Sequence, residues 1–162
     1  MAVLVKDKAA TDAADVLAAH GRRAFPIDVE AIARSLGLRV TRTQLRQGIS
    51  GMLQVDPDAT PQIYVDVEDV RPRQRFTIAH ELGHYYERTT RGEADFNFID
   101  RRGGRYDIHE FYADEFAGNL LMPIDEVTRQ VEQGASLAAM VAHFGVSLPA
   151  LHTRLRRLGL EQ

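Results

Sequence analysis

His80, Glu81 and His84 form the pattern His-Glu-x-x-His, two imidazoles four residues apart with a carboxylate beside the first. Four residues of α-helix advance about 400°, so two histidines at that spacing lie one turn apart on nearly the same face and can meet one ion. Zinc takes nitrogen ligands at about 2.0–2.1 Å, and a catalytic site gives it three protein ligands and leaves the fourth position to water. Glu81 is turned about 100° from His80, too far round to share the metal but near enough to reach that water. It reads as the general base, and the chemistry implied is metal-assisted hydrolysis, with the water's pKa lowered toward about 7. In 162 residues with six histidines, the pattern His-Glu-x-x-His is expected by chance only about 0.01 times. The plainer alternative is a pair of ordinary histidines on a core or surface helix.

The neighbours favour a site. Phe76, Ala79, Leu82, Gly83 and Tyr86 surround the pair with apolar or small side chains, as expected of a helix buried on several sides. Gly83 costs about 1 kcal/mol against alanine in a helix interior, so a close contact should require it. There is no cysteine, so thiolate ligands are excluded and any ion must be held by histidine and carboxylate. The third ligand then needs a second helix facing the first. Glu110 begins one, and Ala113, Asp114, Ala117 and Leu121 share its face, small enough for close approach. Asp114, one turn on, is placed to accept the Nδ1–H of a metal-bound histidine and fix its tautomer. Glu115 falls a further 100° round and reads as surface.

The elements that must position these residues follow from period and caps. Helices are expected at Ala9–His20, from Asp28 to Leu36, at Asp69–Arg88, at Ile108–Met122 before Pro123, at Asp125–Gln133, from Ser136 to His143 and from Ser147 to Leu158. Leu38–Thr41, Gly51–Val55 and Gln62–Val65 alternate like strands, the last two flanking the turn-rich Asp56-Pro57-Asp58-Ala59-Thr60 as a hairpin. Thr89–Asp107 shows no sustained period and reads as a long loop, a frequent place for function. The fold class is α+β: a small, mostly antiparallel sheet packed with helices. With no internal repeat or linker, residues 1–162 read as one domain, a core over 1–135 with helix-turn-helix-like helices over 136–162 packed on it.

Arg75-Phe76-Thr77-Ile78-Ala79 before His80-Glu81-Leu82-Gly83-His84, then Glu110-x-x-Ala113-Asp114-x-Phe116-Ala117 and Leu120-Leu121-Met122-Pro123, resemble the ImmA/IrrE family of metallopeptidases. The order of elements agrees from about Phe25 to Leu160. The resemblance implies a zincin-like core in which His80, His84 and Glu110 hold the metal and Glu81 is the base. It also implies cleavage of a protein partner, a transcriptional repressor of the helix-turn-helix class. The family often has Asn where Asp114 stands, and Asp holds a histidine at least as well.

The expected ion is Zn2+, with Mn2+ as the other candidate. No apolar run approaches the roughly 18–20 residues of a membrane span, and no secretory signal is visible near Met1, so the expectation is a cytoplasmic protein without a membrane partner. The net charge of −3 gives no global pull toward nucleic acid. His152, Arg154, Arg156 and Arg157 on the last helix could read DNA, but a helical pair completing the core with its arginines in solvent is preferred. Two further alternatives stay open: a metal-stabilised binding module, as in a toxin–antitoxin pair, and a DNA-binding regulator. Tyr85, Tyr106, His109 and Tyr112 are equal candidates for an oxyanion donor. The strand at Gln62–Asp66 could be an edge for substrate pairing or an interior strand. Arg101, Arg102 and Arg105 could hold an acidic substrate or sit in a solvated loop.

Overall fold

The computed structural model describes residues 2–161. Among them are seven helices and four strands in the order α1 (Ala2–His20), α2 (Val29–Ser35), β1 (Arg39–Thr43), β2 (Ile49–Val55), β3 (Gln62–Asp66), α3 (Arg71–Thr90), β4 (Phe96–Arg101), α4 (Ile108–Leu121), α5 (Ile124–Glu132), α6 (Leu137–Phe144) and α7 (Leu148–Leu158). The sheet runs β1-β3-β2-β4. β1 pairs parallel to β3, while β2 pairs antiparallel to both β3 and β4. The class is α+β with a mostly antiparallel sheet, as expected.

Local chemistry explains most boundaries. The Asp28 carboxylate accepts from the Ala31 N–H, and Ser136 and Ser147 accept from Ala139 and Ala150, each satisfying a helix-start donor that lacks an intrahelical partner. Pro72 sits in the first turn of α3, where its missing N–H costs nothing. Gly145 ends α6 at φ 64°, a left-handed conformation that Gly adopts without penalty.

Three expectations are corrected, the first of them for the segment between α3 and α4. The segment Thr89–Asp107 is not all loop, because Phe96–Arg101 forms β4, pairing Phe98 with Leu53 and Asp100 with Gly51. Its side chains alternate between half-buried and exposed, the period of a strand with one face covered. Of the two readings of the strand at Gln62–Asp66, the interior one holds: β3 lies between β1 and β2, so it has no free edge, and β4 is the edge strand on the side of the site.

α3 lies against the sheet through β2 and β3 on one side and against α4 on the other. The core is continuous from Ala13, Val16 and Ile27 through Ile78, Leu82 and Phe116 to Phe144 and Leu155. Residues after 135 thus share the same core. Arg154 is not on a solvated face, being 3 % exposed, with its guanidinium donating to the Met122 carbonyl at 3.0 Å and to Asn119 Oδ1 at 2.9 Å. Glu115 is likewise not surface: it is 1 % exposed and meets Arg157 at 2.5 Å.

Candidate metal centre

α3 delivers His80, Glu81 and His84 from its most enclosed stretch, and Glu81 is 0 % exposed. Two glycines make that enclosure tight. A Cβ on Gly83 would stand 3.1 Å from Ala113 Cα and 3.2 Å from Phe116 Cβ, so the backbones of α3 and α4 meet almost directly. This is the close contact that a glycine within the helix implied. On the sheet side, a Cβ on Gly51 of β2 would stand 2.3 Å from Thr77 Cγ2 and 3.4 Å from Glu81 Oε1. Glu110 enters from the first turn of α4, whose start is fixed by Asp107 accepting from the His109 and Glu110 N–H groups.

The three expected donors converge. His80 Nε2 lies 3.1 Å from His84 Nε2, Glu110 Oε2 lies 3.1 Å from His80 Nε2, and Glu110 Oε1 lies 3.0 Å from His84 Nε2. A tetrahedron with metal–ligand bonds of about 2.0–2.1 Å has edges of about 3.3 Å. The spacing therefore fits a small divalent ion with little adjustment. His80 Nδ1 donates to Asp114 Oδ1 at 2.8 Å, which leaves the lone pair on Nε2, facing the other donors. The His84 ring is oriented differently, stacked on Phe98 of β4 with centroids 4.1 Å apart and planes 6° from parallel.

Electrostatics point the same way. Burial disfavours charge on His80, but hydrogen bonds to Asp114 and Glu110 outweigh it and hold the imidazole well above its ordinary range. Burial pushes Glu110 up, yet the bonds to His80 and His84 leave it well below the usual carboxylate range. The donor set attracts positive charge to its centre. Glu81 behaves oppositely: full burial, opposed by His80 and assisted by Asp100 and Glu110, pushes it up to about 8. Neither of its oxygens has a hydrogen-bond partner among the described residues.

The remaining candidates separate. Tyr106 donates to Asp114 Oδ2 at 3.1 Å and lines the cleft beside the donors. Tyr112 instead donates to Asp12 at 2.6 Å in the interior, and His109 Nδ1 pairs with Glu87 at 2.6 Å. Asp100 was not anticipated: His80, Glu81 and Asp100 each offer an atom within 4.8 Å of the others. The signal for it was the alternation Phe96, Phe98, Asp100, which the neighbouring arginines and glycines obscured. A cleft of about 900 Å³ opens beside the donors, between α3, β4, the loop after β4 and α7. No described helix is long and apolar enough to cross a membrane.

A search among curated proteins found no match. The family model of the IrrE N-terminal-like domain, a peptidase family, matches residues 33–156, a span that holds both histidines, Glu81, Glu110 and all of the cleft lining but Arg157. On that match, and with a donor triad and a buried carboxylate where a metallopeptidase needs them, the chain belongs to the IrrE N-terminal-like family of peptidases.

Proposed function

We propose that the protein is a metal-dependent endopeptidase that cleaves a specific protein partner, with His80, His84 and Glu110 as ligands, Glu81 as base and Asp114 behind His80. The observation that carries this reading is Glu81: a fully buried carboxylate with no hydrogen-bond partner among the described residues, beside a cluster of three donors there, His80, His84 and Glu110. A structural ion would call for a fourth protein ligand and no base. Zinc is the proposed ion, with manganese the alternative; when bound, it would act as a Lewis acid toward a scissile carbonyl and an attacking water. Glu81 would take the water's proton and pass it to the departing amine. Asp114 holds the His80 tautomer. Beside them the free edge of β4 offers backbone groups to an extended substrate strand, as edge strands do for peptides.

The proposed partner is a helix-turn-helix transcriptional repressor, and the proposed setting is the cytoplasm, where such regulators work. The DNA-reading alternative loses two of its basic residues, since Arg154 and Arg157 serve contacts within the fold. The test is Glu81→Gln in the zinc-loaded protein, against a repressor encoded beside it. Cleavage should disappear while the bound zinc, read by atomic absorption, stays at the wild-type level. Cleavage at the wild-type rate, or loss of the zinc, would remove Glu81 from its role.

A further inference from the structure

The charge of the cleft is opposite to that of the chain. The protein carries a net −3, yet the cleft is lined by six arginines, Arg73, Arg101, Arg102, Arg105, Arg154 and Arg157, against four carboxylates. Each of the four has a place. Glu110 meets both histidines, Asp114 meets His80 and Tyr106, Glu115 meets Arg157, and Asp100 stands beside His80 and Glu81. Most of the arginines are also committed. Arg73 and Arg102 both donate to Ser50 Oγ, at 3.2 and 3.0 Å, and both pair with Asp69. Arg154 is tied to Met122 and Asn119.

Arg101 and Arg105 differ: no hydrogen bond or ion pair of their side chains is found among the described residues, and both are exposed on the cleft wall. Arg102, between them, anchors this stretch of backbone to Ser50 and Asp69, beside the cleft that Arg101 and Arg105 line. A guanidinium presents a rigid fork that matches a carboxylate in bidentate geometry.

We infer that the cleft selects a polypeptide segment with acidic side chains close to the bond to be cut, held by Arg101 and Arg105. This deepens the peptidase reading and rests on it. A nucleic acid fits less well, because Val70, Phe76, Ile99 and Met122 make part of the wall apolar, which suits a polypeptide with mixed side chains better than a continuous phosphate chain.

Binding to zinc-loaded Glu81→Gln protein tests this without relying on hydrolysis. Three fluorescein-labelled ten-residue peptides, identical except for a central Asp-Asp, Ala-Ala or Lys-Lys, are titrated by anisotropy alongside a ten-nucleotide oligothymidine. The Asp-Asp peptide should bind at least about 10-fold tighter than the Ala-Ala peptide, with Lys-Lys weakest, and the gap should shrink at high salt. Arg101→Glu/Arg105→Glu should reverse the order and Arg101→Gln/Arg105→Gln should level it, with far-UV circular dichroism unchanged. Equal affinities, no binding by any peptide, a preference that survives charge reversal, or tighter binding of oligothymidine would each overturn the inference. A wild-type enzyme that cuts peptides with no acidic preference would end this inference and leave the peptidase reading standing.

Discussion

Asp114 is the residue whose loss should separate holding the metal from orienting its ligand. Its Oδ1 fixes the His80 tautomer at 2.8 Å and its Oδ2 receives the Tyr106 hydroxyl. Groups that orient a ligand in this way are commonly worth about 10–100-fold in affinity. Asp114→Ala should therefore lower zinc affinity by that factor in a competition titration, whereas Glu110→Ala should release the metal outright. Unchanged affinity in Glu110→Ala would move the third ligand elsewhere. At this scale much was legible in the sequence, because His80, Glu81 and His84 are tied together by helix periodicity alone. Asp100 was not, since its nearness to Glu81 depends on the pairing of β4 with β2, strands some forty residues apart. Glu115 was misread for a related reason: helix phase alone turned it about 100° from Asp114 and so toward solvent, and only the packing of α7 brings Arg157 to cover it.

Among the elements, α3 and α4 matter most, and Gly83 sets the distance between them. Alanine there would gain about 1 kcal/mol of helix propensity but meet Ala113 Cα at 3.1 Å, a backbone atom that cannot swing aside. Overpacking of this kind costs about 1–3 kcal/mol, so the net effect should be destabilising by about 1 kcal/mol, or about 2–4 °C in Tm for a chain of this size. Because Glu110 lies across that contact from His80 and His84, zinc affinity should fall as well. A variant that melts higher and binds zinc as before would show that the helices can part without consequence. The helices were readable from caps such as Asp28, Ser136 and Ser147, whose signals are local. β4 was hidden because six alternating residues between glycine- and arginine-rich turns carry little pattern, and long-range pairing with β2 makes them a strand.

For the whole molecule, the question is whether residues 136–162 can be parted from the rest. They bring Met140, Phe144, Val146, Leu151 and Leu155 into the common core. Side chains of this kind are worth roughly 1.5–3 kcal/mol each when buried. Five of them together match the roughly 5–15 kcal/mol by which a typical domain is stable. A chain ending at residue 135 should accordingly fail to fold, with circular dichroism showing loss of cooperative melting. The 1–162 chain should show no salt-dependent affinity for duplex DNA. A stable, zinc-binding 1–135 fragment would make the last helices a separate module and reopen the DNA-reading alternative.

The contacts at Gly51 and Gly83 also bear on which ions the protein can accept. With Gly51 on the sheet side and Gly83 against α4, the segment bearing His80 and His84 is hemmed in at places where the nearest atoms include backbone, which yields less than side chains do. Donors spaced 3.0–3.1 Å apart on such a frame have little room to spread. Calcium, which needs six to eight oxygens at about 2.3–2.6 Å, would have to pry the frame open, so the packing at these two glycines should disfavour it alongside the nitrogen donors.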